Sequence, residues 1–202
     1  MRIGLVLSQV PGYSETFFRN KIKLLHGLGH QVFLFAENPD HIKVDGATVI
    51  EPPRLSRTVN VSVAFRFLKT LLISVFIIPG RSVRFLKIER CERISLPKAF
   101  GHLLANCHIL RHDLDWLHFG FATMALQREN VGEAIAARVA VSFRGYDIAI
   151  YPVKNPGCYT LLWKKLHKVH TISDDLLEMA RQQGLPHSIA VVKVTPAIDV
   201  NQ

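Results

Sequence analysis

The sequence predicts an α/β fold with a mainly parallel sheet and helices on both faces. Three observations point to it. Strand, helix and strand follow in that order between Arg2 and Glu37, the signature of a right-handed βαβ unit. The apolar run at Ile3–Leu7 is continuous instead of alternating, as expected of a strand buried on both faces, and Ala140–Phe143 reads as a second buried parallel strand. Polar clusters stand directly after such runs, where open parallel sheets bind their ligands.

Taken in order, Arg2–Gln9 is the first strand, broken by Val10-Pro11-Gly12-Tyr13. Ser14, followed by Glu15 and Thr16, makes an N-cap with an acidic first turn. Phe17, Phe18, Ile22, Leu24, Leu25 and Leu28 supply a helical apolar face that stops at Gly27-Leu28-Gly29, a helix C-cap. His30–Glu37 and Ala47–Glu51 are strands two and three. The loop after strand one holds a single glycine, Gly12, so the G-x-G-x-x-G of nicotinamide binding is missing; no P-loop motif occurs either. A short Pro-Gly loop feeding a helix N-terminus can still present N–H groups to an anion.

Val59–Pro79 is apolar enough to raise a membrane span, but Arg66 and Lys69 argue against one. On a helix Ser62, Arg66, Lys69, Thr70 and Ser74 form a narrow polar stripe, which suits a core helix or one lying in a membrane interface. Pro79-Gly80 would end it, and Arg81–Arg93 then carries a cation every third residue over a broad surface. Leu96–Arg111 reads as a helix, Asp115–Gly120 as strand four and Phe121–Ala137 as the next helix. Cys107, His108, His112 and Asp113 superficially resemble metal ligands but lack a fourth ligand at a defined spacing, and no metal is expected. The strand at Ala140–Phe143 leads into Arg144-Gly145-Tyr146-Asp147, and Tyr159–His167 is a helical linker. Lys168–Ile172 is a strand, Ser173-Asp174-Asp175 caps the helix Leu176–Gln183, and Ala190–Thr195 is the last strand of six or seven.

Composition narrows the function. Of 202 residues 49% are apolar, enough for a sizeable core. Cys91, Cys107 and Cys158 form no C-x-x-C pair, and no signal-peptide core precedes Ser8, which together point to a cytoplasmic chain with reduced thiols. The net charge of +9 is local. Nine basic residues between Arg54 and Arg93 stand against Glu89 and Glu92, so that segment carries +7 of it. Such a surface attracts an anionic membrane leaflet or phosphorylated substrates. Nucleic acid is not expected, because the segment is aliphatic and lacks the aromatic platform of single-strand binders.

Several short patterns, in one order, resemble the N-terminal half of family-4 retaining glycosyltransferases of bacterial surface polysaccharide synthesis. They are Pro11-Gly12-Tyr13-Ser14-Glu15-Thr16-Phe17, His118-Phe119-Gly120, Ser142-Phe143-Arg144-Gly145-Tyr146-Asp147, Thr171-Ile172-Ser173 and Pro196-Ala197-Ile198-Asp199. The resemblance implies the GT-B architecture, in which two Rossmann-like domains face each other, and nearly the whole chain except Pro52–Arg93 takes part in it. Residues 1–195 would be the Rossmann-like acceptor-side domain with a basic helical insertion at 54–93, and residues 196–202 the start of the interdomain linker. The family's two glutamates separated by seven residues are absent, so the nucleotide-sugar donor would be held by a second domain outside this chain. The implied partners are a glycan or lipid-linked acceptor and the nucleotide-sugar, with no cofactor. Two positions depart from the family: Arg144 stands where it usually has His, and Ala197 where it has Gly.

The expected site gathers residues that each follow a parallel strand. Arg144 and Asp147 are the candidate catalytic residues, and Gly12, Ser14, His118, Gly120 and Ser173 the substrate-binding ones. Two plainer readings stay open: a strand-exit turn in which Asp147 bonds its own backbone, and a non-catalytic module at an anionic membrane surface.

Overall fold

The computed structural model describes residues 1–11, 16–38, 41–53, 70, 72 and 76–195. Seven strands form one sheet: β1 (Arg2–Gln9), β2 (Gln31–Glu37), β3 (Ala47–Ile50), β4 (Trp116–Phe119), β5 (Arg138–Phe143), β6 (Lys168–Thr171) and β7 (Ala190–Lys193). Every pairing is parallel, in the order β3-β2-β1-β4-β5-β6-β7. The strand order reverses between β1 and β4, the switch point at which doubly wound sheets open a crevice.

The continuous apolar strands explain why both faces are covered. Val6, Phe35, Phe119, Val141 and Val169 stand in register on one face and pack in the larger core cluster. That cluster takes in residues of α2 (Pro79–Cys91), α3 (Leu96–Leu110), α4 (Val131–Ala134), α5 (Tyr146–Ala149), α7 (Thr160–Lys165) and α8 (Asp174–Gln182). Leu5, Leu7, Val32, Leu34 and Ala36 point the other way and meet Phe18 and Ile22 of α1 (Thr16–Gly27). Buried Glu89 ties three helical segments together, accepting from His102 Nδ1 at 2.8 Å and Asn130 Nδ2 at 2.9 Å.

Several expectations are corrected. Phe121–Ala137 is not one helix but a 3₁₀ turn, Ala122–Ala125, and the four-residue α4, separated by Gln127 at φ 64°. The N–H of Ala122, in the first turn and without a partner there, is taken by the distant Asp147 carboxylate, and the helical path is broken at Gln127. Pro79-Gly80 opens α2 with proline at its first turn, where a missing N–H costs nothing. On α1 only Phe18 and Ile22 are fully buried, Phe17 and Leu25 partly, while Leu24 and Leu28 face solvent. The linker before β6 holds α5 and a further short helix, α6 (Tyr151–Lys154), ahead of α7. The helix expected over Val59–Pro79, apart from Thr70, Leu72 and its last residues, and the linker from Pro196 lie outside the described residues. Among those residues no helix is long and apolar enough to cross a membrane.

Candidate functional site

At the carboxyl edge of the sheet, beside the switch point, a row of polar side chains runs from α1 to β6. Lys21 Nζ lies 3.1 Å from His118 Nδ1; His118 Nε2 lies 2.8 Å from Ser142 Oγ, which lies 3.0 Å from His170 Nδ1. One set of protons satisfies all three contacts, assigned from the network. The Lys21 ammonium donates to His118 Nδ1, His118 Nε2–H donates to Ser142, and the Ser142 hydroxyl donates to His170. Both imidazoles are then neutral.

The electrostatics agree with neutral rings. Burial, then the charge of Lys21, holds His118 well below its ordinary value. Burial and Lys21 likewise lower His170 to about 4. Lys21 itself is lowered to about 8 by burial and by Arg144. The Arg144 guanidinium lies over Phe17 at 4.4 Å and Phe18 at 5.0 Å, and Phe17 stacks on His170 with ring planes 1° apart. Helix α1 thereby fixes the cation that follows β5.

His118 and Arg144 thus share one sheet edge, as their strand positions predict. Asp147 plays a different part from an open carboxylate. It is 1% exposed, and its oxygens accept from Ala122 N at 2.9 Å and from Arg144 N and Gly145 N, both at 3.0 Å. Its observed contacts hold the loops after β4 and β5 together. Gly145 has φ 128°, a backbone that favours glycine. Gly120 is closely packed: a Cβ there would stand 2.2 Å from Leu7 Cδ2 and 3.1 Å from Phe18 Cζ, so those buried side chains would have to shift. Ser173 caps α8, accepting from Leu176 N at 3.3 Å. Gly12 and Ser14 lie outside the described residues.

Lys21, Ser142, His170 and Phe17 are absent from the expected site. The signal that points to Lys21 is a lysine within the apolar stripe Phe17, Phe18, Ile22, Leu25. His170, two residues after Lys168 on β6, carries no comparable signal. As a whole the cluster offers two cations, two neutral imidazoles, a hydroxyl and an aromatic stack, with its one carboxylate committed to backbone. Such a set binds anions and hydroxyl-rich ligands; arginine is no base. Among the described residues no group of three His, Cys, Asp or Glu is placed to hold a metal. Cys107 and His108 are buried, and His108 and His112 pack edge-on to Phe35.

Buried His108 and the half-buried His118 and His170 set an acid limit on stability. Unfolded, His108, His118 and His170 titrate near 6.5; folded, burial lowers all three, His108 to about 3 and His170 to about 4. Between those values and 6.5 the unfolded chain binds more protons, so this stability is complete above about 6.5 and is lost as pH falls through the window. Urea midpoints are expected to fall from pH 7 to pH 4.5, and a His170→Asn variant to show a shallower fall.

No protein-family description and no curated protein matches the sequence. Solved structures do. The chain covers 99% of itself and 49% of sucrose-phosphate synthase from Thermosynechococcus elongatus, at 10% identity and a TM-score of 0.57. It also aligns with the lipopolysaccharide outer core galactosyltransferase WaaB (11% identity, 99% of this chain, 47% of that one, TM-score 0.49). A third is Acinetobacter baumannii MurG (12%, 97%, 46%, TM-score 0.43). The likeness to the synthase shows the fold, a Rossmann-like α/β unit of the kind found in GT-B glycosyltransferases. The chain spans about half the length of the structures it matches.

Proposed function

We propose that this chain is the acceptor-side domain of a family-4 retaining glycosyltransferase. The complete enzyme would move a sugar from a nucleotide-sugar, held by a second domain, to a glycan or lipid-linked acceptor of cell-surface polysaccharide. The observation that carries the reading is the row Lys21–His118–Ser142–His170 under Arg144 at the switch-point edge. Its cations suit phosphate and its imidazoles, hydroxyl and aromatic stack suit a sugar. The half-length match to sucrose-phosphate synthase supports a partner domain closing over this edge. Arg144 would steady a charged or hydroxyl group of the reacting substrates, Lys21 and His118 would position it, and Asp147 would hold the loops that present them.

The test is direct. Purified residues 1–202 are expected to show no sugar transfer from any nucleotide-sugar, yet acceptor-type oligosaccharides should perturb the NMR signals of Phe17, His118, Ser142 and His170. Turnover by this chain alone, or perturbation elsewhere only, contradicts the proposal.

Peripheral association with an anionic membrane, on the cytoplasmic side, belongs to the same proposal. Along 76–100 the exposed residues include Phe76, Ile77, Val83, Leu96 and Phe100 beside Lys87, Arg90, Arg93 and Lys98. Basic residues near an anionic surface contribute about 1 kcal/mol each. Vesicle co-sedimentation should require anionic lipid and weaken with salt; equal binding to neutral vesicles in high salt removes this part.

A further inference from the structure

On the opposite edge of the sheet, at the amino ends of β5 and β6, three separate segments surround a cleft of about 400 Å³. Arg84 of α2, Arg138 of β5, Lys164 and Lys165 of α7 and His167 supply its basic lining, with Glu133 as its one acid. That volume falls within the roughly 300–1,000 Å³ of ligand pockets. We propose that this cleft binds a phosphate-bearing anion, with Arg84, Arg138 and Lys164 as its cations.

The charge accounting separates this cleft from an ordinary solvated surface. Lys165 takes both nearby carboxylates, Glu92 at 2.9 Å and Glu133 at 2.7 Å. Arg84 and Arg138 form no ion pair among the described residues, and Lys164 makes no direct one, acting on Glu92 only at longer range, although all three line the same concavity. Like charges brought together in this way repel, and a bound polyanion removes the repulsion. Two further contacts arrange donors in advance. The Arg138 guanidinium lies over the Trp116 ring at 5.7 Å, which orients its planar fork. His167 Nδ1 accepts from Val139 N at 3.1 Å, so a neutral ring carries its proton on Nε2 and has a donor left. Arginine forks and lysine ammonium groups are the usual partners of phosphate oxygens. The cleft is remote from the Lys21–His118 row, and the inference does not depend on the glycosyltransferase reading.

The phosphate could be free in solution or part of a lipid headgroup, and two arms separate these sources. In the first, the 202-residue chain is titrated with inorganic pyrophosphate and followed by NMR. Saturable shifts are expected at residues 84, 136–139 and 164–167. In the second, the chain is sedimented with phosphatidylglycerol vesicles and with phosphatidylcholine vesicles. A triple variant, Arg84→Ser with Arg138→Ser and Lys164→Ser, should weaken binding at least tenfold in one arm, and which arm names the source. All three side chains are exposed, so its melting temperature should stay close to that of the parent. The control, Lys23→Ser with Lys43→Ser and Lys154→Ser, removes equal charge from exposed positions outside the cleft and should retain affinity within twofold. Unchanged binding in both arms, or an equal loss in the control, overturns the proposal.

Discussion

Replacing Arg144 with alanine in the complete enzyme, on the glycosyltransferase function proposed above, is expected to lower kcat by about 10²- to 10³-fold, the usual effect of removing one preorganised charge stabiliser. Stability should change far less. The Arg144 side chain sits over Phe17 and Phe18, a contact worth about 0.5–2 kcal/mol. The backbone of its loop is held independently, because the Arg144 N–H donates to Asp147 whatever the side chain is. An effect through general unfolding would move both quantities together. The conservative change Arg144→Lys keeps a point charge without the planar fork, so it should retain only part of the rate. A second readout concerns Lys21, whose lowering to about 8 comes mainly from burial and partly from Arg144. In Arg144→Ala its titration should move up toward the ordinary 10.5 without reaching it. A kcat within threefold of the parent, with Lys21 unmoved, would show that Arg144 has no part in the site.

Much of the sheet was legible because a strand buried on both faces leaves a largely apolar run, as Ile3–Leu7 does, and as Ala140–Phe143 does apart from Ser142. Parallel pairing then brings the ends of β4, β5 and β6 to one edge without further information, and His118 near the end of β4 and Arg144 after β5 lie toward that edge. Illegible features are those decided by partners distant in sequence. The expected long helix breaks at Gln127, whose φ is 64°, and the Ala122 N–H bonds a carboxylate 25 residues away. Leu24 and Leu28 fit the periodicity of α1, but the helix turns only Phe18 and Ile22 fully into the core. The Lys21–His118–Ser142–His170 row crosses from a helix through three strands, and its members are 97, 24 and 28 residues apart in sequence. No local pattern records such a row, although a lysine inside an apolar stripe hints at one end of it. Asp147 shows both sides of the limit: its two bonds to Arg144 and Gly145 follow from the turn sequence, and its third does not.

That third bond makes Asp147 the position where substitution should cost most stability. Its carboxylate is buried and satisfies three backbone donors on two loops, so Asp147→Ala strands all three, at about 1–3 kcal/mol for each unsatisfied buried group. Shared relaxation keeps the total below the sum, and a loss of about 3–5 kcal/mol is expected, or a Tm lower by roughly 10 °C in a chain of this size. Asp147→Asn retains one oxygen and turns an amide nitrogen toward an N–H, so it should fall between the parent and the alanine variant. The charge itself is not the source of this stability. Burial raises the Asp147 pKa above its ordinary 3.8 despite the N–H donors, so the folded state binds its proton more readily than the unfolded chain. Falling pH through that titration therefore favours the folded state at this group, opposite in sign to His108, His118 and His170. Acid lability should accordingly persist in Asp147→Asn with an undiminished slope between pH 6.5 and 4.5. Calorimetry and urea titration of the two variants decide the matter. An alanine variant within 1 kcal/mol of the parent would mean that water replaces the carboxylate and that the two loops need no such link.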